Sequence, residues 1–352
     1  MTADTNRERP QSRSTMKALV YEGPRLLHMR DVPMPKAQPD EAVIRVELAG
    51  ICGSELSGYL GHNSLRKPPL IMGHEFAGII ERTGAEATRF RPGDRVTVNP
   101  LATCGKCRYC TGGSSQLCAE RSLLGAHRPG AFAEYVAVPE RNIHRLPDHV
   151  SFEEGAFAEP FACAVRICRL LGLDSSDRLI IYGAGPIGLF ALQAAQVLGV
   201  KEIVIVDLNE SRLEIARELG GIAVTDPEGG RLLPQDGFDA AIDAVGAGIT
   251  RRKCVQSVRR GGRVIFTGLH EAESSLPIND MIREEVTTTG AFAYSSEDFA
   301  TALEWIDQGK VNLSPWTVTR PLEDGADCFE KLIGGPGKIA KYLLRVRNGE
   351  TL

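Results

Sequence analysis

What this chain lacks narrows its class before any motif is read. No apolar run approaches the ~20 residues that a membrane-crossing helix requires. Neither sign of charge is in excess, since 41 basic side chains stand against 45 acidic ones for a formal net charge of −4. Nucleic-acid binders usually carry a basic stripe, so the balance argues against that class of partner. The first fifteen residues contain Arg7, Arg9 and Arg13 but no hydrophobic centre of the kind a secretory signal needs. Asp4 and Glu8 among those arginines also weaken an organellar-transit reading. Residues 1–15 are expected to be a disordered tail, or an over-extended start ahead of Met16. A reducing, cytoplasmic setting is the matching expectation, with no membrane and no nucleic acid as partners.

What the chain has is length and cysteine. Its 352 residues favour two domains, and a 43% apolar composition is ordinary for a globular protein. A core of that size needs no disulfide staples. The nine cysteines are also unevenly spread, for Cys104, Cys107, Cys110 and Cys118 fall within fifteen residues. Four thiolates in one loop suit tetrahedral zinc, and a closed shell of four protein ligands marks a structural site. Gly105, Gly112 and Gly113 ease the turns, while Lys106 and Arg108 offset the negative charge of such a centre.

From Met16 to about Pro147 the chain reads as short strands, at Lys17–Tyr21, Ala42–Leu48, Phe76–Glu81, Arg95–Val98 and Ala133–Val138. The connections Gly53–Met72 and Asn99–Gly130 read as long loops, where function tends to sit. The grammar then changes. Ser151–Leu171 has helical spacing, after which strands (Arg178–Tyr182, Glu202–Asp207, Asp239–Ala244, Arg263–Thr267) alternate with helices (Pro186–Leu198, Glu210–Leu219). That alternation signals a doubly wound parallel sheet, so the fold class is α/β. A helix at Ser296–Gln308 and a strand at Ala340–Arg345 close the pattern.

The strand Arg178–Tyr182 runs into Gly183-Ala-Gly185-Pro186-Ile187-Gly188, a G-x-G-x-x-G set opening a helix. Its first glycine permits the tight turn, its second lets a pyrophosphate approach the backbone, and its third lets helix and strand pack closely. Asp207, nineteen residues beyond Gly188, stands where a carboxylate accepts the ribose hydroxyls and repels a 2′-phosphate. NAD is therefore expected over NADP, although Arg212 nearby is able to hold a phosphate. The bland alternative for Asp207 is a cap on the helix beginning near Glu210. Val245, Thr267, Gly268, Leu269, Ala291 and Phe292 are the further cofactor contacts expected.

Cys52, in Gly50-Ile-Cys52-Gly-Ser54-Glu55, follows one strand, and Gly73-His74-Glu75 precedes the next. Together they offer thiolate, imidazole and carboxylate, a mixed set that suits catalytic zinc with one open position. With the four-cysteine loop, Glu159-Pro160, the glycine fingerprint and Asp207, these motifs make the chain resemble the zinc-containing medium-chain alcohol and polyol dehydrogenases from Met16 to Leu344. The resemblance implies a GroES-like β-rich catalytic domain at 16–162, completed by 295–352, and a Rossmann NAD-binding domain at 163–294. It implies two zinc ions per chain, the catalytic one held by Cys52, His74 and either Glu75 or Glu159. It further implies a small alcohol substrate, a homo-oligomer (dimer or tetramer) and Ser54 as the first step of a proton relay.

Glu159 looks like the polyol and threonine dehydrogenase branch, since liver-type enzymes carry a cysteine there. Two positions depart from the family pattern. Ser57 stands where many relatives carry a relay histidine, and Phe292-Ala293-Tyr294 replaces the Phe-Arg-Tyr of sorbitol-type enzymes. His62 and Asn63 read as pocket lining or a solvated loop. The expected activity is NAD-linked oxidation of a secondary alcohol of a polyol, sugar alcohol or cyclitol. The alternatives are a threonine 3-dehydrogenase-like enzyme and a non-catalytic, zinc-stabilised NAD-binding protein.

Overall fold

The computed structural model describes residues 14–226, 234–335 and 337–346. Most of the expected 1–15 tail lies outside them, but Thr15 already opens a strand, Thr15–Gly23, paired antiparallel with Leu26–Pro33. The tail expectation therefore fails at its last residue. Met16, Ala18 and Val20 are buried, which is why the strand begins so early. Among the described residues, no helix is long and apolar enough to cross a membrane.

Two sheets carry the molecule. The first runs in the order Ile143–Arg145, Arg95–Val98, Glu75–Thr83, Glu41–Gly50, Lys341–Arg345, Thr317–Pro321, with Tyr135–Pro139 also pairing with Glu41–Gly50. Its register is the point that matters for the site. Gly50 lies opposite Glu75 on one side and Leu343 on the other, so strand ends from both termini of the chain converge beside Cys52. The second sheet is parallel throughout, in the order Ile222–Val224, Glu202–Val206, Arg178–Tyr182, Phe238–Asp243, Val258–Phe266, Thr287–Gly290. This is the dinucleotide-binding order, whose switch point lies beside the central Arg178–Tyr182 strand.

The helix Ala158–Leu171 packs into the largest apolar core beside Pro186–Val197 of the nucleotide-type sheet. The expected single helix over Ser151–Leu171 is in fact two, Phe152–Ala156 and Ala158–Leu171. Pro160 cannot donate to the carbonyl four residues back, so the break falls just before it. The consequence is functional: Glu159 sits in the first turn of the second helix. Phe157, Phe190 and Trp316 then seal the joint, with Phe190 and Trp316 ring centroids 4.9 Å apart.

Candidate active site

The expected loop Gly53–Met72 begins as a helix, Gly53–Tyr59, with Cys52 as its N-cap. Glu55 Oε2 accepts the Cys52 N–H at 3.1 Å and closes the first turn. The same carboxylate, fully buried, accepts through Oε1 from the Gly73 N–H at 2.8 Å and lies 2.8 Å from His74 Nδ1. A carboxylate accepts only, so Nδ1 carries the proton and Nε2 keeps its lone pair for a metal. Ligand atoms of Cys52, His74 and Glu75 all lie within 4.8 Å of one another. Burial alone would lower the His74 pKa, but the charges of Glu55 and Cys52 hold it well above the usual imidazole range. A cation of higher charge would displace that proton.

Glu75 is buried, and among the described residues neither of its carboxylate oxygens has a hydrogen bond of good geometry. Its one strong neighbour is Lys341, itself 2% exposed, which forms an ion pair with Oε2. Gly50 makes that pair possible, because a Cβ there would come within 2.4 Å of Glu75 Oε2 and 3.2 Å of Lys341 Cε. Burial works to discharge Lys341, and the charges of Glu75, Cys52 and Glu159 outweigh it. Glu159 lies outside the 4.8 Å set and is held from another direction, its Oε1 accepting the Tyr294 hydroxyl at 2.9 Å. Burial, with the Glu75 charge adding to it, pushes its carboxyl up to about 7. Three close donors of mixed hardness, one of them an under-bonded buried carboxylate, fit zinc with room for a further ligand.

Ser54 Oγ donates to Cys52 Sγ at 3.4 Å. His62 is exposed and Asn63 Oδ1 accepts the Leu65 N–H, so both serve a loop turn. Sequence reasoning missed Glu55, Arg66, Lys341 and Tyr294 as partners of the site. Only Glu55 left a signal, as an acidic residue three beyond a capping Cys52.

The four-cysteine loop is built as a knuckle. The Sγ atoms of Cys104, Cys107, Cys110 and Cys118 lie within 4.8 Å of one another. Cys107 and Cys110 sulfurs are 3.5 Å apart, far beyond an S–S bond of ~2.05 Å. Backbone N–H groups of Lys106 and Cys107 hold the Cys104 thiol down to about 6. The arrangement is preset for a thiolate-bound metal.

At the carboxyl ends of the parallel sheet the glycine turn behaves as its spacing predicts. Gly183 has φ +108°, Gly185 has open space where a Cβ would stand, and a Cβ on Gly188 would lie 1.8 Å from Gly183 O. Pro186 and Ile187 open the helix behind them. The Asp207 carboxylate accepts from Ala184 N at 2.7 Å and Asn209 N at 2.8 Å, which fixes it across the turn. Asn209, not Asp207, caps the following helix by accepting from Arg212 N. Arg212 Nε is buried with no hydrogen-bond partner among the described residues. Thr267 and Gly268 donate to Asp243 O, and Ala291 donates to Phe266 O, so these loops are ordered by backbone bonds. Val245, Leu269 and Phe292 nonetheless stand exposed at strand ends, Leu269 at 86%. The Arg121 guanidinium stacks over the Phe292 ring, 5.1 Å from its centroid.

Comparison with known proteins converges on the same geometry. Residues 38–148 match the family model described as the alcohol dehydrogenase GroES-like domain, and residues 186–308 match that of the zinc-binding dehydrogenases. An L-threonine 3-dehydrogenase of Rhizobium etli is 34% identical, covering 92% of this chain and 97% of its own. The chain belongs to the zinc-containing medium-chain dehydrogenase family. D-xylulose reductase A of Aspergillus niger is 30% identical to this dehydrogenase, over 91% of this chain and 94% of its own. A short chain alcohol dehydrogenase of Escherichia coli CFT073, solved in complex with NADH, superposes with a TM-score of 0.88 at 28% identity. It covers 95% of this chain and all of its own. The GroES-like and Rossmann architecture is thus shared along nearly the whole dehydrogenase, and with it an oxidoreductase activity on CH–OH groups.

Proposed function

We propose that this dehydrogenase oxidises a secondary alcohol of a polyol, sugar alcohol or cyclitol to the ketone, passing hydride to NAD. The observation that carries the reading is the set of half-buried Cys52 with buried His74 and Glu75, close enough to Glu159 for the charges of His74 and Glu75 to act on its carboxyl. Zinc bound there supplies Lewis-acid polarisation of the alcohol oxygen. Cys52 and His74 hold the metal, with Glu75 or Glu159 as the third ligand. Glu55 fixes the His74 tautomer, and Tyr294 aims Glu159, which from the first turn of its helix would meet a neighbouring hydroxyl of the substrate. Gly185 and the helix start at Pro186 receive the pyrophosphate, and Asp207 accepts the ribose hydroxyls. Val245, Thr267, Gly268, Leu269, Ala291 and Phe292 cover the rest of the dinucleotide.

Cys104, Cys107, Cys110 and Cys118 are assigned to a second, structural zinc. We assign residues 16–162 and 295–352 to catalysis and 163–294 to NAD binding, in a cytoplasmic protein. Two zinc ions per chain and NADH formation with polyols or cyclitols, in a screen that includes simple secondary alcohols and threonine, test the reading. Activity confined to threonine would support the amino-alcohol alternative, motivated by the Rhizobium etli relative. Two zinc ions with no NADH from any alcohol would support a non-catalytic NAD-binding role. That role leaves Cys52, His74, Glu75 and Glu159 together without a reason.

A further inference from the structure

The loop after the helix Gly53–Tyr59 is exposed at His62, Ser64, Leu65 and Lys67, yet Arg66 among them is only 4% exposed. Its stem runs inward over Gly58, where a Cβ would come within 2.5 Å of Arg66 Cδ. At the inner end the guanidinium grips one residue twice, donating to the Ser54 carbonyl and to Ser54 Oγ, each at 3.1 Å. Arg66 Nε is buried without a hydrogen-bond partner, and none of the ion pairs among the described residues involves this arginine. The compensating charge is the buried Glu55 carboxylate, on which Arg66 acts without a contact ion pair, so the direct bonds of the guanidinium go to Ser54.

Guanidinium nitrogens only donate, so Arg66 occupies a lone pair of Ser54 Oγ and leaves the hydroxyl hydrogen to be placed elsewhere. The acceptor it meets is Cys52 Sγ. A free serine hydroxyl rotates, whereas this one is held from behind with its hydrogen on sulfur, so this geometry does not itself supply the relay step that the resemblance implies for Ser54. A donor on a metal-bound thiolate draws electron density from sulfur, which tunes the metal as outer-shell bonds generally do. The arginine does not stand in for the histidine missing at Ser57, because it stays protonated and passes no proton on.

We infer that Arg66 is a positioning residue of the metal centre: by gripping Ser54 it fixes a hydroxyl donor on the sulfur of Cys52. The inference rests on the zinc reading of Cys52 and His74. It parallels the Glu55 bond to His74 from the same helical turn, so one short helix orders two of the ligands, Cys52 and His74.

The test uses the full chain with the four-cysteine zinc retained and cobalt(II) loaded into the chelator-cleared catalytic site. Arg66→Met and Ser54→Ala should each move the thiolate-to-cobalt charge-transfer band to longer wavelength by a similar amount. The double variant should show no further shift, and catalytic-site metal affinity should fall about 10–100-fold in each single variant. Arg66→Lys keeps one donor and should recover part of the wild-type spectrum. It also carries the comparison if Arg66→Met does not fold. An unmoved band in folded Arg66→Met, or a shift that persists undiminished in the Ser54→Ala background, overturns the inference while the zinc reading stands. A wild-type protein that binds no cobalt at Cys52 and His74 overturns the zinc reading itself, and this inference with it.

Discussion

Two carboxylates compete for one metal position, and their restraints differ in kind. Glu75 is held by a buried lysine, Glu159 by a neutral tyrosine hydroxyl. Zinc needs a neutral imidazole and an ionised carboxylate, so protons on His74 and Glu159 oppose it. In the zinc-free protein His74, raised above 6.5, contributes stability that is present below that value and lost as pH rises through its folded pKa. Glu159, raised from 4.5 to about 7, binds more protons folded than unfolded across that window, so stability falls there as well. The stabilisation gained on adding zinc should therefore grow between about pH 5 and about pH 8. Melting temperatures of zinc-loaded and chelator-treated protein measure it, and a gain that shrinks with pH would refute the ligand assignment. The growth should be smaller in His74→Ala. The second residue-scale prediction concerns Asp207. Its Ser variant should shift the NAD-over-NADP ratio of kcat/KM by about tenfold or more toward NADP, with Arg212 then free to meet the 2′-phosphate. A wild-type preference for NADP would contradict the role given to this carboxylate. Cys52, His74 and Glu75 could be singled out as candidate ligands in the sequence because metal-binding residue types are few and their local motifs are distinctive, and the fold brings these three together. The partners Lys341 and Tyr294 were not, since contacts across 266 and 135 residues depend on strand register in the first case and on how a helix start meets a distant loop in the second, which no local pattern records.

At the scale of elements, regular periodicity was readable and exceptions to it were not. Arg178–Tyr182, Pro186–Val197 and Glu202–Val206 emerged within a residue of their expected ends. The helix Gly53–Tyr59 escaped because its seven residues contain two glycines and no apolar stripe; its stability comes from Glu55 closing the first turn. Thr317–Pro321 and Gly325–Ile333 escaped as well, the strand because it ends in proline. The turn at Ala291–Tyr294 shows what such exceptions do. Ala293 adopts φ +47°, which lets exposed Phe292 and buried Tyr294 face different surroundings. Ala293→Arg should raise activity on linear polyols relative to the native substrate, because it restores the fork that sorbitol-type relatives carry. Glu159→Ala should cost polyols more than simple alcohols; equal losses would mean that Glu159 serves the metal alone. The four-cysteine loop predicts the opposite kind of defect. Cys107→Ser should lower the melting temperature and solubility, whereas His74→Ala should abolish turnover with the fold intact. A thermally normal Cys107→Ser protein would remove the structural-zinc assignment.

At the scale of the whole molecule, the parallel sheet ends in an open edge. All four residues of Thr287–Gly290 are exposed, and among the described residues the strand pairs only with Val258–Phe266. Unpaired edges invite another strand, and natural proteins blunt them with charge, proline or a covering element. None of those devices occurs within Thr-Thr-Thr-Gly itself. The preceding helix, Ile278–Arg283, exposes Ile278 at 53% and Ile282 at 68%, so apolar surface lies next to unsatisfied backbone. A second copy of the chain, placing its own edge alongside by two-fold symmetry, would satisfy both at once. We therefore expect the oligomer to form through this edge. Light scattering should give at least twice the 38.2 kDa of one chain for the wild type. The double variant Ile278→Glu with Ile282→Glu should fall to the monomer mass. It should keep NADH binding, because neither side chain lies at the glycine turn or at Asp207. A wild type that runs as a monomer at enzyme-assay concentrations would exclude the edge as an interface. A double variant that stays oligomeric would move the interface to another face of the molecule.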